Sequence, residues 1–193
     1  LIDLPGAYSL YPNSVDERIV LGVLCDHDSP FKPDIIIYVA DASNLERHLL
    51  LLTQILDLEI PVILALNMVD VAQKEGLTCH EEVLEKSLGV PIVKINGRSG
   101  NGTELIKEQL QKVDNLPKPR PFTDWEKIAP ETIQRIIAET SIQNPYRALL
   151  AAHHFDNLPN FAENEKTTIQ EIVKETGFSS IKSQVAETME RFD

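Results

Sequence analysis

The sequence predicts an α/β fold, with a parallel sheet in its first part and a small all-α helical bundle in its second. Three near-continuous apolar runs indicate strands that are buried on both faces, as in sheets covered by helices on both sides. These runs cover residues 34–41, 62–69 and 91–96. Helical patterns separate them, and such alternation favours right-handed crossovers and a doubly wound parallel sheet.

The segments between and after the strands have the three-and-four spacing of apolar residues that is typical of amphipathic helices. Ser43 or Asn44 is placed to cap the first helix. Thr78 is placed to cap the second, with Glu81 three residues later as a capping box and Gly89 as the helix end. The patterns predict helices over residues 45–56, 80–88 and 103–113.

Alternating prolines in residues 116–121 deny helix and favour a stiff, extended connector. We therefore predict a sheet domain over residues 1–116, a Pro-rich linker over 117–121 and a helical domain over 122–193. In the helical domain, Asn144 is expected to cap a helix that begins at Pro145. The last helix, capped by Ser179 or Ser180, carries one apolar face, formed by Ile181, Val185, Met189 and Phe192.

Composition narrows the possible functions. The chain has 193 residues, an apolar fraction of 42% and a net charge of -12, so it is globular and has no general attraction to nucleic acid or anionic lipid. No apolar run reaches the ~20 residues of a membrane helix. Cys25 and Cys79 lack disulfide or metal-site spacing, which favours reduced thiols.

The first pattern that carries chemistry is Asp-Leu-Pro-Gly at residues 3–6. In proteins that hydrolyse GTP, an Asp-x-x-Gly follows a strand: its Asp reaches the nucleotide Mg²⁺ through water, and its Gly amide donates to the terminal phosphate. Alone, the pattern is equally typical of a turn. Asp3 and Gly6 are therefore candidate Mg²⁺ and phosphate ligands only in combination with other motifs.

Asn-Met-Val-Asp at residues 67–70 is a stronger signal, because it ends the second buried strand. The Asp70 carboxylate can accept from N1 and the exocyclic amine of guanine, which adenine cannot offer. Asn67 can bond N7 and hold the loop together, and Met68 can cover the base where Lys is usual. The alternative is an Asn and an Asp that only cap a helix.

A Gly-rich loop, residues 96–102, lies between the third strand and the next helix. In GTPases this loop presents backbone amides to the guanine carbonyl, most often with a Ser-Ala pair, and here Asn96-Gly97 stands in that place. Arg98, which follows, is a further candidate nucleotide-binding residue. The loop is a weak signal alone and gains weight from the order of the three motifs. Together they predict a partial G domain, with a P-loop-NTPase-like (Ras-like) sheet that binds GTP or GDP with Mg²⁺.

Two other groups of residues raise the question of a metal or catalytic site. Cys25, Asp26, His27 and Asp28 are all ligand types, but adjacent residues on a helix point in different directions. His153-His154 is expected at a helix end, facing solvent or packed. No Ser-His-Asp or Cys-His arrangement stands out, so we assign no catalytic residue.

With these motifs, the chain resembles the cytosolic amino-terminal region of the ferrous iron transport protein B family. Residues 3–17, with Tyr-Ser-Leu after the Asp-x-x-Gly, resemble the second switch of that family, and Asn-Met-x-Asp is its form of the guanine motif. Residues 122–125 and 185–192 resemble its helical appendage. The resemblance covers essentially the whole chain. It implies a regulatory GTPase segment at the cytoplasmic face of the membrane, coupled to a polytopic domain of the same polypeptide that moves Fe²⁺.

The sequence also departs from the family pattern in two places. No Gly-x-x-x-x-Gly-Lys-Ser/Thr loop occurs in the 193 residues; the family has it upstream, with a first switch that holds a Mg²⁺-binding Thr and an Asn linked to K⁺ activation. We therefore expect a fragment that is inactive alone, with impaired nucleotide binding. Ala7 stands where Ras-like proteins carry the Gln that orients water, which predicts slow hydrolysis in the intact parent protein.

Two other functions stay open beside a GTPase segment of an iron transporter. One is a soluble GTPase of ribosome or tRNA function, although such proteins usually carry a basic RNA-binding appendage and this tail is acidic. The other is an interaction module that binds no nucleotide. The resemblance implies GTP or GDP and Mg²⁺ as cofactors, K⁺ in the intact protein, and an Fe²⁺ channel domain as partner. The net charge of -12 argues against nucleic acid as a partner, and homo-oligomerisation stays open.

Overall fold

The structure, a computed structural model, describes residues 1–25, 31–112, 116, 118–158 and 161–192. It divides into two compact units, Leu1–Lys32 with Pro121–Asp193, and Pro33–Arg120. We call them the helical unit and the sheet unit. The helical unit thus includes the first 32 residues, which the sequence assigns to the sheet domain. The predicted division at residues 116, 117–121 and 122 stays a prediction, and Pro117 lies outside the described residues.

Within the described ranges, three strands form one parallel sheet in the order β1-β2-β3: Ile36–Asp41, Val62–Asn67 and Ile92–Lys94. The α-helices there are α1 Val15–Cys25, α2 Leu45–Asp57, α3 Val69–Lys74, α4 Glu81–Leu88, α5 Thr103–Leu110, α6 Pro130–Glu139, α7 Pro145–His154, α8 Glu163–Glu175 and α9 Ser180–Phe192. This architecture confirms the predicted α/β fold with a parallel sheet and additional helices.

The strands align so that their carboxyl ends meet at one edge of the sheet. Asp41 pairs with Asn67, and Leu66 pairs with Lys94. Residues 62–66 of β2 are buried, as predicted. The prediction of burial on both faces is wrong for β1, where Tyr38 and Ala40 are buried but Val39 between them is exposed. Alternating burial means that one face of β1 is covered and the other is not.

Helix boundaries agree with the sequence signals in most places. Asn144 Oδ1 accepts from Arg147 N at 2.9 Å, and Pro145 is the first residue of α7. The Thr78 cap is wrong: α4 begins at Glu81, with His80 as an N-cap that makes no side-chain bond. Its predicted end is confirmed, because Gly89 takes the left-handed conformation that stops a helix. Residue 113 of the predicted third helix lies outside the described residues.

The helical unit has its apolar core between α6, α7 and α8. The buried core side chains there include Ile133, Ile136, Leu149, Leu150, Ile169 and Ile172. The apolar face predicted for the last helix is present but points to solvent, and α9 buries Ser183, Glu187 and Arg191 instead. None of the helices in the described ranges is both long and apolar enough to cross a bilayer.

Candidate nucleotide-binding site

The predicted guanine motif lies where β2 ends at the carboxyl edge of the sheet. Asn67 is the last residue of β2, and Met68 follows with φ of 59°, a left-handed conformation that turns the chain into α3. Such a conformation is uncommon for a residue with a side chain, and it commonly marks a turn or a site. Met68 and Asp70 are exposed. The strand end therefore presents both side chains to solvent beside the half-buried Asn67.

Asn67 joins this motif to the loop after β3. Its Oδ1 accepts a hydrogen bond from the backbone N–H of Gly97 at 3.1 Å. The two segments are 30 residues apart in sequence, and the parallel pairing of β2 with β3 brings them together. This bond holds the end of β2 and the loop after β3 together.

The loop after β3 is fixed by Asn96. Its Oδ1 accepts from the backbone N–H groups of Arg98 at 3.0 Å and Ser99 at 3.1 Å. Its own N–H donates to the Asn101 carbonyl at 2.9 Å. With Gly97 bonded to Asn67, three successive loop amides already have acceptors. A guanine carbonyl that enters this loop must share or displace one of them, which lowers its net gain from that bond.

Gly102 is the last residue of the same loop, and no other residue type fits at its position. Its φ is +87°, and a Cβ built there would collide with the carbonyl oxygen of Lys94. Only glycine adopts such a conformation without steric cost and lets two backbones approach so closely. The loop is therefore held by backbone geometry as well as by Asn96.

The two residues predicted for the phosphate end lie in the helical unit. Asp3 and Gly6 are both exposed, and no atom lies within 4 Å of a Cβ built on Gly6. Glu17 orders the segment that follows, because its carboxylate accepts from the N–H of Tyr8 at 3.4 Å and of Asn13 at 2.8 Å. The Asp3 carboxylate is thus accessible to a Mg²⁺ ion, which typically takes one or two protein carboxylates beside phosphate oxygens and water.

The described part of the chain holds no cluster of three or more His, Cys, Asp or Glu side chains that would suit a protein-only metal site. Cys25 is buried at the end of α1. Asp26, His27 and Asp28, which the sequence raised as its neighbours in a metal site, lie outside the described residues.

A buried polar network in the helical unit was missed by the sequence reasoning. Glu187 of α9 is only 2% exposed. It accepts from the hydroxyls of Tyr11 and, at 3.1 Å, Tyr146, and from Nε of Arg191 at 2.9 Å. Burial, and then the Glu187 charge, raise the pKa of both tyrosines, so they stay protonated donors. The one sequence signal was Glu-x-x-x-Arg opposite the apolar face of the last helix.

The paired histidines lie at the end of α7, packed as one of the two predicted alternatives. His153 has Ser180 Oγ at 2.6 Å from Nδ1 and Ser183 Oγ at 3.1 Å from Nε2. Burial and the neighbouring His154 lower the pKa of His153 to about 3, and burial lowers that of His154 to about 4. Both rings are neutral at physiological pH. They support the packing of α7 on α9.

A parallel sheet with Asn-x-x-Asp at the end of a central strand, followed by a loop bonded to that Asn, defines the class of guanine-nucleotide-binding domains. A sequence model of the family described as "Ferrous iron transport protein B" matches residues 1–110. The chain belongs to this family.

Individual relatives agree with the family match. The Fe(2+) transporter FeoB of Staphylococcus aureus (strain COL) is 35% identical over 191 residues, which are 97% of this chain and 27% of that protein. The solved cytosolic domain of L. pneumophila FeoB has a TM-score of 0.77 at 27% identity, covering 98% of this chain and 74% of that one. An S. thermophilus NFeoB mutant bound to GDP has a TM-score of 0.72 at 26% identity, covering 98% and 75%.

The chain therefore spans about a quarter of the S. aureus transporter that it matches. The family match does not favour the alternative of a soluble GTPase for ribosome or tRNA work. The assignments of Asp3, Gly6, Asn67, Met68, Asp70, Asn96, Gly97 and Arg98 to individual contacts with the nucleotide stay predictions.

Proposed function

We propose that this chain contributes the guanine-reading part of a regulatory GTPase domain in a ferrous iron transporter. The hydrogen bond between Asn67 Oδ1 and Gly97 N at 3.1 Å carries the proposal, because it joins the two loops that recognise the base. The exposed Asp70 carboxylate stands two residues after the left-handed turn at Met68. Its charge accepts the paired donors of guanine and leaves adenine with unmatched groups.

The remaining parts of the nucleotide and its ions are also proposals. Asp3 reaches Mg²⁺ through water and the Gly6 amide donates to the terminal phosphate, which the exposure of both residues supports. An ion bound there offsets the negative charge of the phosphates. Met68 covers the base, and Arg98 lies beside it after Gly97. K⁺ is a further proposed cofactor of the intact protein.

The proposed setting is the cytoplasmic face of a membrane. The S. aureus relative is a transporter more than three times as long as the aligned segment, which supports a membrane-embedded Fe²⁺ channel domain in the same polypeptide. Nucleotide binding then regulates transport in cis. Ala7 offers no amide to orient the attacking water, so hydrolysis by the complete protein is slow.

Base exchange tests the proposal. In the complete gene product, Asp70→Asn replaces a carboxylate that accepts from the guanine amine with an amide that donates to the corresponding carbonyl of xanthine. We expect affinity for a fluorescent GDP analogue to fall about 100-fold, since two hydrogen bonds to a charged group are lost. Affinity for the matching xanthosine diphosphate should rise. Equilibrium titration by fluorescence measures both.

The matched control is Asp34→Asn, which alters an exposed Asp before β1, at the other end of the strands. This variant should keep the nucleotide preference of the natural protein. Unchanged GDP affinity in Asp70→Asn would remove Asp70 from the site and overturn the proposal. A parallel titration of the 193-residue chain measures how much affinity the base-reading part retains by itself.

A further inference from the structure

The loop between β3 and α5 contains both Asn-Gly pairs of the chain, Asn96-Gly97 and Asn101-Gly102. In such a pair the backbone nitrogen of the glycine can attack the side-chain amide carbon of the asparagine. Glycine favours this attack because it has no Cβ to obstruct the approach and its backbone turns freely. The two pairs lie in the same loop, yet the structure restrains them differently.

Asn96-Gly97 is held at both reacting groups. The Gly97 N–H, whose nitrogen would attack, donates to Asn67 Oδ1 at 3.1 Å. The Asn96 side chain, whose amide carbon would be attacked, accepts through Oδ1 from Arg98 N at 3.0 Å and Ser99 N at 3.1 Å. Attack at this pair therefore breaks all of these hydrogen bonds before the new bond can form, and each broken bond raises the barrier.

Asn101-Gly102 is open at both reacting groups. Asn101 is exposed, and its side-chain amide makes no hydrogen bond to any residue that the structure describes. Within the same ranges, the Gly102 N–H donates to no acceptor. The main chain of Asn101 is bonded, because its carbonyl accepts from Asn96 N at 2.9 Å and its N–H donates to Ser99 Oγ at 3.4 Å. Neither bond involves the nitrogen that attacks or the amide that is attacked.

The fold also requires a glycine after Asn101. The φ of Gly102 is +87°, and a Cβ there would collide with the Lys94 carbonyl oxygen, so a bulkier residue that would slow the attack does not fit. The reactive pair is therefore a consequence of how this loop closes.

We propose that Asn101 is a site of spontaneous modification, at which the chain converts its own side-chain amide into a carboxylate. The Gly102 nitrogen forms a bond to Cγ of Asn101, the Cγ–Nδ2 bond breaks, and the proton of the Gly102 N–H leaves with Nδ2 as ammonia. Water then adds to either carbonyl of the cyclic imide and opens the ring. Opening at Cγ yields aspartate, and opening at the main-chain carbonyl yields isoaspartate. Water enters and ammonia leaves, so no oxidant or reductant is needed.

The modification changes the loop in which it occurs. Both products add a negative charge, and isoaspartate also lengthens the main chain by a carbon at residue 101. The carbonyl of Asn101 accepts from Asn96 N at 2.9 Å, and Asn96 in turn orders the amides of Arg98 and Ser99. A longer main chain displaces that carbonyl and loosens the turn. The consequence for nucleotide rests on the proposed function: the modified loop binds guanine more weakly.

Peptide mapping by mass spectrometry tests the site itself. Trypsin cleaves after Arg98, so Asn96 and Asn101 fall in different peptides, residues 95–98 and 99–107. During incubation of the folded 193-residue chain at neutral pH, we expect Asn101 to lose its amide at least about tenfold faster than Asn96. In concentrated urea the restraining bonds are absent, and the two rates should become similar. An Asn101 that stays intact in the folded chain, or equal rates for both pairs there, would overturn the proposal.

The variant Asn67→Ala tests the restraint on the other pair. It removes the acceptor of the Gly97 N–H, so it should accelerate modification of Asn96 and leave the rate at Asn101 unchanged. Circular dichroism confirms that the variant stays folded. An unchanged rate at Asn96 would overturn hydrogen bonding as the reason for the selectivity.

Titration of a fluorescent GDP analogue into the complete gene product, before and after the incubation, tests the consequence. Full modification should lower the affinity at least about tenfold. The matched control is Asn101→Gln, whose longer side chain cyclises more slowly, and which should bind equally before and after. Loss of affinity in both proteins, or in neither, would overturn the effect on the loop. Absence of GDP binding before incubation would contradict the proposed function instead, and the peptide map would still decide whether Asn101 is modified.

Discussion

Two polar clusters of this molecule behave in opposite ways. At the carboxyl edge of the sheet unit, Asp70 is exposed and Asn67 is half-buried beside it. In the helical unit, Glu187 and Arg191 are buried, and Glu187 is bonded to two tyrosine hydroxyls and the Arg191 guanidinium. The first cluster leaves a carboxylate available to a ligand. The second satisfies its carboxylate internally and fixes the orientation of a helix.

The two clusters differ in the partners of their carboxylates: Asp70 is available to a ligand, whereas Glu187 accepts its hydrogen bonds from the protein itself. A polar group that a ligand is to reach must stay accessible, and its neighbours must be held by other means, such as the left-handed turn at Met68 and the bond from Gly97 to Asn67. A buried charge must instead be paired and fully bonded, because desolvation is costly. The same residue types therefore indicate recognition in one place and architecture in the other.

The largest expected effect comes from removing the carboxylate at the centre of the buried network. Glu187→Ala leaves Arg191 buried without its carboxylate, and removing one partner of a buried pair costs about 3–5 kcal/mol of unfolding free energy. Urea unfolding followed by circular dichroism measures the loss. Glu187→Gln keeps acceptors for the tyrosine hydroxyls and should lose less.

An exposed pair with the same spacing provides the control. Arg135 Nε and Glu139 Oε1 are 2.8 Å apart on α6, also four residues apart, with partly exposed side chains. Because solvent screens such a pair, Glu139→Ala should cost less than about 1 kcal/mol. Equal losses for Glu187→Ala and Glu139→Ala would mean that the buried network does not hold α9.

At the sheet edge, the largest effect should come from backbone rather than from a charge. Gly102→Ala forces a Cβ against the Lys94 carbonyl at a φ of +87°, so we expect a loss of at least about 2 kcal/mol, from backbone strain and the collision together. Gly100→Ala is the control, with a φ of +75° and no atom within 4 Å of its Cβ. It should lose about 1 kcal/mol, from strain alone. Differential scanning calorimetry compares them, and identical losses would contradict the close approach at Gly102.

The sequence predicted the sheet edge better than the buried network because its signals are local. Residues 67–70 form one short motif at the end of an apolar run, and Asn144 with Pro145 is a cap within one turn. In contrast, Tyr11 and Tyr146 lie 176 and 41 residues from Glu187 in sequence. No periodicity connects such distant positions.

The orientation of α9 shows how tertiary contacts override a pattern. Hydrophobic periodicity correctly identified one apolar face of this helix, yet the structure turns that face outward. Periodicity predicts that a helix has two faces, and it assigns the apolar face to the core only when nothing else competes. Here the Glu187 network competes successfully. The loop after β3 is a similar case, since the Asn96 contacts with Arg98 and Ser99 fix a loop that sequence described only as Gly-rich.

The last expected effect is a pH dependence of the helical unit. The pKa of His153 is lowered to about 3 by burial and by His154, whereas an unfolded His titrates near 6.5. Between these values the unfolded chain binds more protons than the folded one, so the free energy of unfolding rises with pH. Stability is fully present above about 6.5 and falls by up to about 1.4 kcal/mol per pH unit, for each proton bound on unfolding, as the pH drops.

Urea midpoints measured between pH 7 and pH 4.5 test this dependence. His153→Gln, which can still bond Ser180 and Ser183, removes one titrating group and should reduce the slope by about one proton. His80→Gln, at an exposed histidine before α4 in the sheet unit, should leave the slope of the helical unit unchanged. A slope that survives His153→Gln intact would place the proton uptake elsewhere. The packing of α7 against Ser180 and Ser183 would then be insensitive to acid. The contrast between the buried polar groups of the helical unit and the exposed groups at the sheet edge would rest on Glu187 alone.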